Sequence, residues 1–327
     1  MTTEAALRSS AGRATGRVVR ADAKVFHVDV DGRVLMAAPR GKLFEELGKR
    51  KNPVAVGDLV ELDLATEPAS IEAVLPRRNY LGRTASAHDR REQVLVANVD
   101  RLFVVGSLAR PGFSSNRTDR ILAACRWHDI PAVVVLNKID LARPGELEAV
   151  RATYEAAGVE VLATCALDGR GVDALRDALV GRTSVFYGAS GAGKSSLLNS
   201  IQPELAIRVG KISRYWETGK HTTTFSQLHP LDVGGWVIDT PGIRVFRLHE
   251  LKPGDLRGLF GEFARFASHC RFPDCSHDHE PGCAVFPAVE AGELPATRYA
   301  SYLEMLDELG APTEEDPAAD PEHDQAP

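Results

Sequence analysis

The segment GASGAGKSS at residues 188–196 constrains the fold of this 327-residue chain more than any other feature. A strand-like run, TSVFYG, precedes it and a helix-like run, SLLNSI, follows it. Glycines allow backbone N–H groups to close around phosphates, and the positive end of the following helix favours negative charge. A glycine-rich structural turn is the alternative, but the flanking pattern favours a phosphate-binding loop, formed by Gly188, Ala189, Ser190, Gly191, Ala192, Gly193, Lys194, Ser195 and Ser196.

A second motif, NKID at residues 137–140, follows the apolar run AVVVL and indicates which base is bound. The Asp140 carboxylate can accept hydrogen bonds from N1–H and N2–H of guanine, whereas adenine would leave the carboxylate unpaired. Lys138 can lie along the base and Asn137 can brace neighbouring loops. By itself the motif could be a strand-end turn. Beside a phosphate loop it predicts a GTP site, completed by Ile139 and, after the run VEVLA, by Cys165 and Ala166.

Two segments after the phosphate loop predict the magnesium site. Lys194 would reach the β- and γ-phosphates, and the Ser195 hydroxyl would ligate Mg²⁺. Asp239, which begins the sequence DTPG, can hold Mg²⁺ through water, and the N–H of Gly242 can sense the γ-phosphate. One threonine of the GKHTTT run would complete the Mg²⁺ shell, although spacing alone does not choose between Thr222, Thr223 and Thr224, and a strand start also explains the run.

The residue that activates water does not come from the usual motif position. Many GTPases carry a Gln directly after the Gly of DxxG, but this chain has Ile243 there. Any catalytic side chain must therefore come from elsewhere. His221, beside the threonines, is the candidate for orienting water, and a solvated loop histidine is the alternative interpretation.

Three of the five cysteines fall within fourteen residues, in the segment HCRFPDCSHDHEPGC. Three thiolates and one imidazole satisfy tetrahedral Zn²⁺ and leave no position for water, so the pattern predicts one structural zinc ion. His269 and His279 are alternative sources of the imidazole. The predicted ligands are Cys270, Cys275, His277 and Cys283.

Hydrophobic patterning divides the chain into five parts. Short alternating runs predict an OB-type β-barrel over residues 14–82, and apolar strands alternating with helices predict a mostly parallel α/β domain over residues 83–250. The order of motifs, with NKID before the phosphate loop, favours a circularly permuted P-loop GTPase domain. A small helical zinc-binding domain is expected over residues 251–310, with disordered tails at residues 1–13 and 311–327.

Charge and composition limit the partners and the compartment. The net charge is −6, but residues 311–327 hold six acidic residues and no Lys or Arg, so the rest of the chain is close to neutral. The barrel can therefore still bind RNA through basic loops, although solvated cations are the commoner explanation. We expect a cytoplasmic monomer without membrane attachment, because no apolar run or secretion signal is visible. The basic residues are Arg40, Lys42, Lys49, Arg50, Lys51, Arg77, Arg78 and Arg83.

Taken together, these motifs resemble the RsgA (YjeQ) family of circularly permuted GTPases, over residues 14–309. The resemblance implies an OB-fold domain, late action in assembly of the small ribosomal subunit, GTP hydrolysis stimulated by that subunit, and release after hydrolysis. It also implies contact with the subunit's rRNA. This chain departs from the family in having Lys220 for Arg and Cys165 for Ser. Gly191 replaces the Asn of potassium-activated GTPases, which puts potassium dependence in doubt.

Two further functions stay open from the sequence alone. One is an RNA-binding adaptor that uses GTP and GDP as a conformational switch with little hydrolysis, which the missing Gln makes worth testing. The other is an ATP-using kinase with the same phosphate loop. The NKID motif argues against the kinase.

Overall fold

The computed structural model of the chain describes residues 12–22, 25–45, 48, 50–86, 89–205, 227–239, 251–278 and 280–310. The chain forms two compact units, Met1–Glu250 and Leu251–Pro327. Within the described ranges, no helix is long and apolar enough to cross a membrane. Both predicted tails lie outside these ranges, apart from residues 12 and 13.

The first unit begins with a five-stranded barrel. Its strands are β1 (Arg13–Ala21), β2 (Phe26–Val30), β3 (Arg33–Pro39), β4 (Leu59–Asp63) and β5 (Ala69–Val74), with α1 (Gly41–Glu45) after β3. They pair in the order β1-β2-β3-β5-β4, and β4 pairs again with β1, which closes the barrel. Alternate residues point inward, so that Val18, Val28, Val60, Leu62 and Ile71 form a fully buried core.

A separate hairpin follows the barrel and was not recognised in the sequence. It consists of β6 (Tyr80–Ser86) and β7 (Asp89–Ala97), so the predicted domain boundary between residues 82 and 83 falls inside β6. Leu81 and Val96 of the hairpin are fully buried in the same apolar cluster as Leu102 and Val134 of the following domain. The hairpin therefore shares its core with the α/β domain.

The α/β domain is a six-stranded, mostly parallel sheet with helices on both faces. Its strands pair in the order β10-β9-β8-β11-β13-β12, and β12 is antiparallel to β13. The elements are β8 (Arg101–Ser107), α2 (Ser115–Trp127), β9 (Ala132–Asn137), α3 (Glu146–Ala156), β10 (Glu160–Thr164), α4 (Val172–Leu179), β11 (Arg182–Tyr187), α5 (Lys194–Ile201), β12 (Gln227–Pro230) and β13 (Gly235–Asp239).

Strand β11 lies at the point where the strand order reverses. The chain builds β8, β9 and β10 outward in one direction and then returns to place β11 beside β8, with β13 on its other side. Both faces of these central strands are buried, as in the stacked rings of Phe103 and Phe186, whose centroids are 5.1 Å apart. In open α/β sheets, ligands bind beyond the carboxyl ends of the strands at such a reversal. The phosphate-loop sequence begins directly after β11.

The second unit is a small helical domain, described here by itself. Its helices are α6 (Pro253–Leu256), α7 (Ala264–Ala267), α8 (Val285–Glu290) and α9 (Ala296–Gly310). In its core, the Tyr302 ring packs edge to face on Phe260 and Phe263, with centroids 5.2 Å and 5.1 Å apart, and the two Phe rings stack on each other at 5.4 Å. A buried ion pair between Arg298 and Glu262 joins α9 to the segment before α7.

Candidate functional site

The strand register brings the predicted guanine and phosphate segments to one edge of the sheet. Asn137, the last residue of β9, is opposite Ser107 at the end of β8 and Thr164 at the end of β10. Tyr187, the last residue of β11, pairs with Val104 of β8. Because parallel strands end at the same edge, the loops after all four strands lie together.

The loop after β11 has the geometry of a phosphate-binding loop. Gly193 adopts a φ of 100°, which favours glycine, and a Cβ at this position would overlap the Asn137 side-chain amide. Helix α5 then begins at Lys194, so its free N–H groups border the loop. The Lys194 ammonium donates to the carbonyls of Gly188 (2.7 Å) and Ala189 (3.1 Å), which places the cation at the loop itself.

Asn137 connects three loops through its side-chain amide. Its Nδ2 donates to the carbonyl of Ala192 in the phosphate loop at 2.9 Å. Its Oδ1 accepts from the Thr164 hydroxyl and from the Ala166 N–H, each at 3.3 Å. The residue is 1% exposed, so these bonds are shielded from water. The Ala166 N–H is therefore engaged with Asn137.

Lys138 contacts a fourth loop of the site, between β8 and α2, which the sequence analysis did not identify. It has a left-handed φ of 60°, and its ammonium donates to the carbonyls of Gly191 (2.8 Å) and Arg110 (2.6 Å). Arg110 lies between β8 and α2, and a Cβ on Gly191 would come within 3.3 Å of Pro111. This segment directly follows β8, which borders β11, and that position is the signal that could have identified it.

The predicted base discriminator, Asp140, is held by a neighbouring thiol. Cys165 Sγ donates to Asp140 Oδ1 at 3.1 Å. Burial and, secondarily, this hydrogen bond to the carboxylate raise the pKa of the Cys165 thiol, so that the thiol stays protonated at neutral pH and acts as a donor. The contact orients a carboxylate that is otherwise exposed.

The remaining predicted nucleotide residues are described in part. The backbone of Asp239 ends β13 and is paired with Phe186 of β11, so residue 239 lies beside the strand that leads into the phosphate loop. The side chain of Asp239 and the whole of His221, Thr222, Thr223, Thr224 and Gly242 lie outside the described residues.

The four predicted zinc ligands converge in the second unit. The thiols of Cys270, Cys275 and Cys283 and one ring nitrogen of His277 lie within 4.8 Å of one another. His277 Nδ1 is 3.6 Å from Cys270 Sγ and 3.9 Å from Cys283 Sγ. Tetrahedral zinc, with Zn–S bonds of about 2.3 Å and Zn–N bonds of about 2.0 Å, requires ligand separations of roughly 3.5–3.8 Å. The residues therefore fit a four-coordinate zinc ion.

Surrounding contacts fix the backbone of this cluster. Tyr299 donates to the carbonyl of His277 at 2.7 Å, and Tyr302 donates to the carbonyl of Ser276. The Ala284 N–H donates to Cys270 Sγ at 3.3 Å, a bond that stabilises a thiolate. Of the alternative ligands, His269 contacts Ser268 and is not part of the cluster, while His279 lies outside the described residues.

Glu280, which the sequence analysis did not single out, borders the metal cluster. Its carboxylate accepts from the Ser276 N–H at 2.6 Å and lies 3.6 Å from Cys275 Sγ. Burial raises the pKa of this carboxyl, but the hydrogen bonds from Ser276 outweigh that effect and lower it to about 2.

Comparisons with known proteins agree with this geometry. The sequence model of the RsgA GTPase family matches residues 74–249. A Bordetella pertussis protein named small ribosomal subunit biogenesis GTPase RsgA is 41% identical over 309 residues, which cover 92% of this chain and 98% of the relative. A Bacteroides fragilis protein of the same name is 35% identical over 298 residues, which cover 90% of this chain and 96% of the relative.

Solved structures with the same architecture are also similar over their whole length. The crystal structure of YjeQ from Thermotoga maritima is 34% identical with a TM-score of 0.74, covering 92% of this chain and 100% of that one. The structure of YloQ, described as a circularly permuted GTPase, is 27% identical with a TM-score of 0.69 and covers 94% and 99%. The prediction of a permuted GTPase domain behind a barrel is confirmed. With its sequence, its strand order and these relatives in agreement, the chain belongs to the RsgA GTPase family.

Proposed function

We propose that this protein hydrolyses GTP while it takes part in biogenesis of the small ribosomal subunit. GTP binding is supported chiefly by the Asn137 side chain, which links the guanine loop to the phosphate loop. Its Nδ2 donates to the Ala192 carbonyl at 2.9 Å. The ribosomal half rests on relatives with 35–41% identity that carry the name small ribosomal subunit biogenesis GTPase.

The guanine base would contact the Asp140 carboxylate and the stem of Lys138, next to Ile139, Cys165 and Ala166. The hydrogen bond from Cys165 holds one carboxylate oxygen, which favours a fixed orientation toward the N1–H and N2–H edge of guanine. The phosphates would lie along residues 188–196, where Lys194 already sits over the loop.

Hydrolysis needs charge neutralisation and an oriented water. The Ser195 hydroxyl, in the first turn of α5, and Asp239, on the strand beside β11, would hold Mg²⁺, together with one of Thr222, Thr223 and Thr224. When bound, Mg²⁺ neutralises charge that develops on the β- and γ-phosphate oxygens. His221 would orient the attacking water, and Gly242 would sense the γ-phosphate. Replacement of His221 by Ala should lower turnover more than GTP affinity, and unchanged turnover would remove His221 from the mechanism.

The cysteine and histidine cluster would hold one structural Zn²⁺ through Cys270, Cys275, His277 and Cys283. Four protein ligands leave no position for water, so the ion would stabilise the small second unit without taking part in hydrolysis.

We infer a cycle in which the GTP form binds the small subunit and its rRNA late in assembly and leaves after hydrolysis. The protein would act in the cytoplasm as a monomer. Co-sedimentation with purified small subunits tests this cycle: binding should be strong with a non-hydrolysable GTP analogue and weak with GDP or without nucleotide. Equal co-sedimentation in all three conditions would contradict it.

An adaptor with little hydrolysis is the second candidate, because Ile243 occupies the position that a catalytic Gln fills in many GTPases. The adaptor would show the same nucleotide-dependent binding to the subunit. It would differ in its rate of phosphate release, which would not increase when subunits are added.

A further inference from the structure

A cavity of about 640 Å³ lies within the first unit, where the barrel and the segment after β5 meet the C-terminal end of α2. This volume is within the range of about 300–1,000 Å³ typical of small-ligand sites. Three guanidinium groups and three aromatic rings line it, with prolines and Asp129 between them. These six side chains belong to Arg50, Arg77, Arg78, Tyr80, Trp127 and His128.

Of the three rings, those of Tyr80 and Trp127 are partly accessible to a flat ligand, whereas His128 is 9% exposed. Tyr80 and His128 pack with centroids 4.8 Å apart, and the Arg50 and Arg77 guanidinium groups lie 5.7 Å and 6.0 Å from the centre of the Tyr80 ring. Trp127, the last residue of α2, is half-buried and so keeps part of its ring accessible. Nucleic-acid bases stack on aromatic side chains and on the planes of arginine guanidinium groups, largely independently of the nucleotide sequence.

The three arginines differ in what they can offer to a ligand. Arg77 makes a bidentate ion pair with the fully buried Asp58, at 2.7 and 2.8 Å, which fixes it in the cavity wall. Arg50 is about half exposed, and its guanidinium is 4.0 Å from the Glu92 carboxylate. Arg78 is 60% exposed and pairs with Asp100. Arg50 and Arg78 are therefore the cations that a phosphate can reach.

We propose that this cavity binds one nucleotide unit, with its base against the rings and its phosphate beside Arg50 and Arg78. Glu92 and Asp100 offset part of the charge of these two arginines, so we expect the site to contact a single phosphate of its ligand. A nucleotide of a single RNA strand and a free nucleotide both present a base and a phosphate. Aromatic rings beside accessible arginines are typical of single-strand binding, which favours the RNA strand as the source.

The cavity is separate from the GTP site. Helix α2 begins after Ser114, beside the phosphate loop, and ends at Trp127 in the cavity. Its 13 residues span about 20 Å at 1.5 Å per residue. The inference consequently does not rest on GTP hydrolysis, and both sites can be filled at once.

Trp127 fluorescence provides a direct test in the full-length protein, with excess GDP present to keep the guanine site filled. A six-residue oligouridylate and uridine monophosphate are titrated separately. We expect the oligonucleotide to quench fluorescence and the quenching to disappear in Trp127→Phe. Arg50→Ala should weaken binding about ten-fold and lower the slope of log affinity against log salt by about 0.7, as expected for one lost phosphate contact.

Arg126→Ala is the matched control, because Arg126 is an exposed cation on the same helix that does not line the cavity. It should change affinity less than two-fold, and GDP binding should stay at the wild-type value in every variant. Tighter binding of the oligonucleotide than of uridine monophosphate supports an RNA strand, and equal affinities support a free nucleotide. Equal weakening by Arg50→Ala and Arg126→Ala, or quenching that persists in Trp127→Phe, would overturn the proposal.

Discussion

Replacing Asn137 with Ala tests the connection between the guanine loop and the phosphate loop. The substitution removes a 2.9 Å donor bond to Ala192 O and two acceptor bonds of 3.3 Å, to Thr164 and Ala166, in a site that is 1% exposed. An unpaired buried carbonyl costs about 1–3 kcal/mol, and each longer bond contributes about 0.5–1 kcal/mol. The total is about 2–5 kcal/mol.

Most of this loss should appear in nucleotide affinity, because all three partners lie in or beside loops that would contact the nucleotide. A loss of about 2–5 kcal/mol corresponds to roughly 30- to 5,000-fold weaker binding. Titration with a fluorescent GDP analogue measures it, and thermal unfolding shows whether the variant remains folded. Thr164→Val, which removes one of the long bonds, is the graded control and should weaken binding less than about five-fold. If folded Asn137→Ala bound GDP within three-fold of wild type, this reasoning would be wrong.

Three further predictions concern other parts of the molecule. Cys165→Ser should keep GDP affinity within about three-fold, because a hydroxyl can also donate to Asp140, whereas Cys165→Ala should weaken GDP affinity about five-fold in the same titration. Elemental analysis should find one zinc ion per wild-type chain and none in Cys270→Ser, whose second unit should become protease-sensitive while GDP binding persists; zinc retained by the variant would contradict the ligand assignment. Burial lowers the pKa of His128 to about 4, below its unfolded value of about 6.5, so the unfolded state gains a proton first as the pH falls. Denaturant unfolding should therefore show wild type losing about 3 kcal/mol more stability than His128→Phe between pH 7 and pH 4, and parallel losses would refute the assignment.

The phosphate loop and the zinc cluster could be predicted from the sequence, because the residues of each lie close together in the chain. A phosphate loop needs glycines and a lysine at fixed spacing between a strand and a helix, and four zinc ligands need thiols and an imidazole close together in the chain. Both patterns can be identified without knowing the fold. The reversed order of NKID and the phosphate loop then indicated the permutation, which the strand order shows directly.

The contacts that sequence analysis missed are between residues far apart in the chain. Lys138 bonds to Arg110, and Tyr80 packs on His128, through contacts that depend on where the folded chain places β8, α2 and the separate strand β6. The boundary predicted between residues 82 and 83 divides the hairpin at residues 80–97, because the core residues of the hairpin alternate as those of barrel strands do. Which core Leu81 joins depends on tertiary packing, since alternation alone fits either one.

Multiple-turnover release of phosphate from GTP, with and without purified small ribosomal subunits, tests the central claim most directly. We expect slow release by the protein alone and a rate at least ten-fold higher with small subunits, with no such increase from large subunits or with ATP as substrate. An unchanged rate in the presence of small subunits that bind the protein would contradict a subunit-stimulated GTPase and favour the adaptor.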